Sequence, residues 1–194
     1  MIRLVAEAWL AVQGCWRILT FKDGWEANFD TSLGGLWHSF SAAIFALPLV
    51  ALILLSAWHG SGGERGYGLE DFLVYSLSWV IFPLAASLAV SILGLRGRWA
   101  AWVVLHNWSS ILLFAVQASM WTLFLAGLIN LQFLGVLVGL YGYLRILVHW
   151  RIAYIALGAP TITSAAAAAI PILAAKIMVI LISLAMTPAI PDAL

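Results

Sequence analysis

Five apolar runs, each long enough to cross a bilayer and separated by very little polar sequence, constrain this chain more than anything else in it. They extend from Trp37 to Trp58, Asp71 to Leu93, Trp99 to Leu123, Ala126 to Val148 and Ser164 to Met186. A hydrocarbon core about 30 Å thick takes roughly 20 residues of helix. Within it, each spanning segment has to satisfy its own backbone N–H and C=O groups. Helices do this, and the runs are far longer than the alternating segments of about 10 residues that build a β-barrel. Composition points the same way. The 194 residues are 64% hydrophobic and only 9% charged, against about 25% charged in a soluble domain. The expected fold class is therefore all-α: a polytopic membrane helical bundle with five transmembrane helices and an N-terminal amphipathic interfacial helix.

Three regions follow. Residues 1–36 read as a cytoplasmic amphipathic helix and connector, 37–187 as the five-helix transmembrane domain, and 188–194 as a short external tail. Residues 99–148 are almost continuously apolar, so the break between the third and fourth spans is set near "AGLIN" (126–130) by length alone. The glycine-rich "HGSGGERGYGLE" (59–70) is the one real loop, with Glu64, Arg65 and Glu70 keeping it in water. In "HWRIAYIALGAPTI" (149–162), read as interfacial, Pro160 ends any preceding helix.

Basic residues orient the bundle. Arg3, Arg17 and Lys22 precede the first span, Arg96 and Arg98 separate the second from the third, and Arg145 and Arg151 are read at and after the end of the fourth. All of these share one side of a five-span protein; the other side holds only Arg65. The positive-inside rule then puts the N-terminus in the cytoplasm and the C-terminus outside. The net charge of +1 offers no basic field for nucleic acid. The single cysteine, Cys15, excludes an internal disulfide and a cysteine metal cluster, and reads as an ordinary apolar helix residue.

In the N-terminal segment Ile2, Val5, Trp9, Val12, Trp16 and Leu19 recur at steps of three and four, one face of a helix, while Arg3, Glu7, Gly14 and Arg17 lie on another. Such a helix either lies on the cytoplasmic membrane surface or packs on the protein's own spans. It is too interrupted to span and lacks the pattern of a signal peptide.

Three stripes mark the spans that should pack together. His106, Ser110, Leu113 and Gln117 share a face of the third span, with Asn107 beside it. Ser76, Val80, Pro83, Ser87 and Ser91 form a small-residue stripe on the second, and Gly135, Gly139 and Gly142 form one on the fourth, at a spacing that admits close helix approach. Spans two, three and four are therefore expected to turn these residues toward one another. Interhelical hydrogen bonds of this kind are worth roughly 0.6–2 kcal/mol each, enough to account for the serines and Gln117 by packing alone. Lys176, near the middle of the fifth span, costs about 2.5–3.5 kcal/mol on insertion scales. It should lean toward Glu70 and Asp71 or stretch its stem to the headgroups. The candidate residues are thus Lys176, His106, Asn107, Ser110 and Gln117.

No catalytic constellation is present: there is no GxSxG, no HExxH and no pair of intramembrane aspartates. Histidines 38, 59, 106 and 149 read as scattered over both surfaces and one span, so no catalytic, cofactor or metal site is expected.

The order of parts resembles the Yip family of five-span membrane proteins. The likeness is carried by "LVGLYGYLRILVHWRIAYIALGAPTITSAAAAAI" (137–170), which looks like that family's fourth span with its aromatic-glycine end, basic turn and small-residue fifth span. The stretch "VVLHNWSSILLF" (103–114) is similar to the corresponding segment of uncharacterised bacterial proteins with this layout. The resemblance implies a non-enzymatic protein that organises protein or lipid partners, with no enzymatic residues to carry over. Membrane lipids, a membrane-protein partner or a second copy are the partners expected. The residues themselves also admit a small transporter or channel built around Lys176 and His106/Asn107. An intramembrane enzyme lacks a nucleophile–base pair.

Overall fold

The computed structural model describes residues 2–63 and 68–186, with side chains from residue 4 onward. Glu64, Arg65 and the tail 188–194 lie outside the described residues. The chain forms α1 (Ile2–Leu19), α2 (Leu33–Ser39), α3 (Ala42–Gly60), α4 (Leu69–Ile92), α5 (Trp99–Leu125), α6 (Leu131–Leu157) and α7 (Thr161–Met186), with short 3-10 turns at Glu26–Asn28 and Arg96–Arg98. Among the described residues there is no strand. Five segments are long and apolar enough to cross a membrane: Leu33–Gly60, Leu69–Ile92, Arg96–Leu125, Leu131–Leu157 and Thr161–Met186. Their outer surfaces carry large apolar side chains such as Ile44, Ile92, Val136, Leu140 and Ile162, which water would not tolerate over so wide an area. The chain is an integral membrane protein of helical-bundle type.

Local chemistry sets the breaks. Asn130 opens α6 by accepting from the backbone N–H of Phe133 at 2.8 Å, and Gly127 turns the loop before it with a positive φ of 69°. The break between the third and fourth spans thus falls within 126–130, as length demanded. At the other end α6 runs nine residues beyond the expected Val148, to Leu157, where Gly158 in the left-handed region caps it and Pro160 follows. Arg145 and Arg151 therefore lie inside the helix rather than at and after its end. In α6, 27 residues give about 40 Å, more than the hydrocarbon core needs.

The first span is two helices with an elbow. Ser32 caps α2 by accepting from Gly35 N–H at 3.2 Å, while the Ser39 and Ser41 hydroxyls donate to the carbonyls of Leu36 and His38, each at 2.7 Å. Such back-bonding bends helices. Gly35 is required here: a Cβ would fall onto the Asp30 carbonyl.

Helices α4, α5, α6 and α7 close a ring, α4 meeting α5 and α7, and α6 meeting α5 and α7. On the far side of α5 sit α3, α2 and α1. The expected trio of spans two, three and four is corrected: α4 leans mainly on α7, not on α6. Its buried row is Trp79, Phe82, Pro83, Ala86, Ala89 and Val90, while Val80, Ser87 and Ser91 of the anticipated stripe are exposed. The aromatic rings bury more area than serines, and they decide which face turns in. The glycine stripe is corrected too. Gly135, Gly139 and Gly142 are exposed, and a Cβ added at any of them meets nothing within 4 Å. They mediate no helix contact within the chain, because α6 turns a different row inward, about a quarter-turn away.

Helix α1 packs on α5 and α6. Its buried face is the small one, Ala11, Gly14, Cys15 and Ile18, and Val5, Trp9 and Trp16 of the apolar row point outward. Arg151 Nε donates to the Ile18 carbonyl at 3.2 Å, Asn28 Nδ2 to the Leu10 carbonyl at 3.1 Å, and His38 Nδ1 lies 3.3 Å from Glu7 Oε2. Cys15 is the buried apolar residue expected, and desolvation pushes its thiol up to about 12.

Candidate functional site: a polar cavity inside the ring

The space enclosed by α4–α7 is not filled. A cavity of about 150 Å³ remains, lined from α4 by Ser78, Trp79 and Phe82, from α5 by His106, Ser110 and Gln117, from α6 by Tyr141, Arg145 and His149, and from α7 by Pro171 and Ala175. It has room for several waters or a small solute group.

The α5 contribution follows from helical spacing. His106, Ser110 and Gln117 share a face, and the structure brings these three to one place. The α6 contribution obeys the same rule, since Tyr141, Arg145 and His149 stand at steps of four. A fourth span that ends at Val148 holds Tyr141 and Arg145 but leaves out His149, which the helix continued through "YGYLRILVHW" adds to the row. His149, expected at an interface, is buried in the bundle beside His106, so these two of the four histidines are not scattered.

His106 is the middle member of a stack. Its ring lies 3.4 Å from that of Phe82 at 17° and 5.2 Å from that of His149 at 18°, centroid to centroid. Its buried Nδ1 has no hydrogen-bond partner. Buried polar atoms are nearly always paired, so an orphan on a side chain that lines a cavity marks a place for a ligand or water. The serines need less explanation: Ser109 and Ser110 both donate to the His106 carbonyl at 2.9 Å, and Ser78 donates to the Tyr75 carbonyl at 2.6 Å. Arg145 makes no hydrogen bond or ion pair among the described residues, and no carboxylate lines the cavity. Nor, among the described residues, do three or more His, Cys, Asp or Glu side chains gather in metal-holding groups. The lining is rich in donors: a guanidinium, a phenol, a carboxamide and two imidazoles.

The other two candidates lie elsewhere. Asn107, one residue from His106, lies about 100° further round the helix and donates through Nδ2 to Ser39 Oγ at 2.9 Å. It joins α5 to the elbow of the first span, not to the second or fourth. Lys176 is exposed on α7, in an outer groove of about 370 Å³ shared with Gly139, Gly142, Tyr143, Arg145, Ile146 and Ile172. It makes no ion pair among the described residues. Glu70, one of its anticipated partners, instead accepts from Ser183 Oγ at 2.7 Å. Lys176, His106 and Asn107 therefore do not converge.

No protein-family model, curated protein or solved structure matches the chain.

Proposed function

We propose that this is a non-enzymatic membrane protein that binds a small polar solute, in the manner of a small transporter or channel, within the α4–α7 ring. The observation that carries the reading is the cavity itself. It gathers Arg145, His106, His149, Tyr141 and Gln117 where the rest of the spans are apolar, and intramembrane polar groups are costly unless they serve a partner or a pathway. The proposed membrane is a bacterial cytoplasmic one with the N-terminus inside. Arg17, Arg98 and Arg151 support this orientation by clustering at one end of the bundle: Arg151 bonds Ile18, one residue from Arg17, and Arg98 reaches Gly158.

Cysteine accessibility tests the reading. In a Cys15→Ser background, Gln117→Cys should react with a small water-soluble methanethiosulfonate reagent in membranes, while Val138→Cys on the outer face of α6 should not. If Gln117→Cys stays unlabelled from both sides, the cavity is a sealed packing defect and the reading is lost. The same reagent, kept outside intact cells, should leave Lys22→Cys unlabelled; labelling there reverses the orientation.

A second reading has its own observation. The uncovered glycine row on α6 leaves a surface where another membrane helix, from a partner or a second copy, can approach closely. With the outward Trp9 and Trp16 of α1 lying on the membrane surface, this supports a Yip-like organiser of protein or lipid partners. Recovery of the wild type but not Gly139→Leu in a crosslinked complex would favour it.

A further inference from the structure

Arg145 belongs to two spaces at once. It lines the inner cavity, and it also lines the outer groove between α6 and α7, where Lys176 stands. Ala175 likewise lines the cavity and a groove segment that contains Arg145 and Lys176. Cavity and groove therefore adjoin at Arg145, near the middle of α6, and Lys176 lies near the middle of α7. Two cations at this depth, with no carboxylate lining either space, form a site of one sign. A single lysine at the centre of a span already costs about 2.5–3.5 kcal/mol on insertion scales. The groove floor is Gly139 and Gly142, where a Cβ would meet nothing, and its walls are Ile146 and Ile172. Next to it on the outer surface stand Ile177 and Ile180, both exposed, a surface suited to acyl chains and not to water.

We propose that the solute of this cavity is the phosphate-bearing headgroup of an anionic lipid, which enters sideways from the bilayer through the α6–α7 groove; this rests on reading the cavity as a solute site. The phosphate sits between Arg145 and Lys176, the guanidinium offering the paired N–H donors that suit a phosphate. The remainder of the headgroup reaches toward His106 and Gln117, and an acyl chain lies over Gly139 and Gly142.

Native mass spectrometry of the full chain in detergent, with added phosphatidylglycerol or phosphatidylcholine, tests this directly. The wild type should retain one phosphatidylglycerol in preference to phosphatidylcholine by about tenfold or more, because both lipids present a phosphate but the choline cation is repelled by the two basic side chains. Arg145→Gln should abolish the preference, and Lys176→Gln, at an exposed position where folding is not at stake, should reduce it severalfold. Gly142→Leu should lower retention of the lipid while leaving the charges in place. Equal retention of the two lipids, or an unchanged preference in Lys176→Gln, overturns the proposal. Saturation by inorganic phosphate with no preference for the lipid overturns the lateral route and assigns the cations to a water-borne anion. If Gln117→Cys is labelled while the lipid preference is absent, the cavity reading stands and the lipid assignment alone falls.

Discussion

The two sides of α5 are packed in opposite ways. Toward α1, α2 and α3 the helix is sealed: Val103 and Asn107 are buried, Trp108 meets Phe45 at 6.4 Å between ring centroids, and Asn107 is bonded to Ser39. Toward α4, α6 and α7 the same helix borders an open cavity lined by His106, Ser110 and Gln117; each side leaves one buried polar atom unpaired, Asn107 Oδ1 on the first and His106 Nδ1 on the second. His106 and Asn107 are adjacent in sequence, but successive residues of a helix point about 100° apart, so they enter two different interiors. A polar residue within a span is thus no single kind of signal. On the sealed side it fixes a joint; on the open side it offers chemistry.

Stability measurements on purified protein can break this contrast. The largest effect is expected at Gly35→Ala, whose methyl group would collide with the Asp30 backbone. Overpacking against backbone should cost about 3 kcal/mol and strongly lower the melting midpoint; an unchanged midpoint would mean the elbow is loose. Asn107→Ala should cost about 1–3 kcal/mol, since it leaves the Ser39 hydroxyl without its buried donor. A double-mutant cycle with Ser39→Ala should recover a coupling near 1 kcal/mol, and a coupling of zero would remove the joint. On α6, Gly139→Ala should stabilise by about 0.5–1 kcal/mol, because the methyl enters open space and the helix gains from losing glycine. Destabilisation there would show that the surface is already in use by another helix. His106→Phe should leave stability within about 0.5 kcal/mol, since an apolar ring continues the stack on Phe82 and removes an unpaired nitrogen. A loss as large as that of Asn107→Ala would mean the open side is structural after all.

The sealed side also makes a pH prediction that is silent near neutrality. The Cys15 thiol has its pKa raised from 9.0 to about 12 in the folded protein. Above pH 9 the unfolded chain has lost this proton while the folded one holds it, so stability should decline as pH rises from 9 toward 12. Replacing Cys15 with alanine should remove that part of the slope in alkaline melting curves. If the slope persists unaltered, Cys15 is not sealed.

Much of the fold was legible in the chain, and particular residues show why. Helix α5 displays His106, Ser110 and Gln117 at helical spacing, so their meeting needed no tertiary information. Asn130 and Gly127 announce the break that length required. By contrast, Arg145 read as an end-of-span charge and His149 as interfacial, so the row that joins them to Tyr141 needed a helix carried past Val148 to be seen. The glycine row promised a contact that α6 does not make, since small residues permit close approach without compelling it.

By itself, then, the sequence determined five spanning helices, their approximate ends and the faces on which polar groups lie. Hydrophobic length and helical periodicity are local quantities, and each span carries its own. Only the tertiary structure decided that α4 leans on α7, that Arg145 and His149 join His106 while Asn107 and Lys176 do not, and that the ring is hollow. Those outcomes depend on how bulky rings from distant segments share one volume, and no segment encodes that alone.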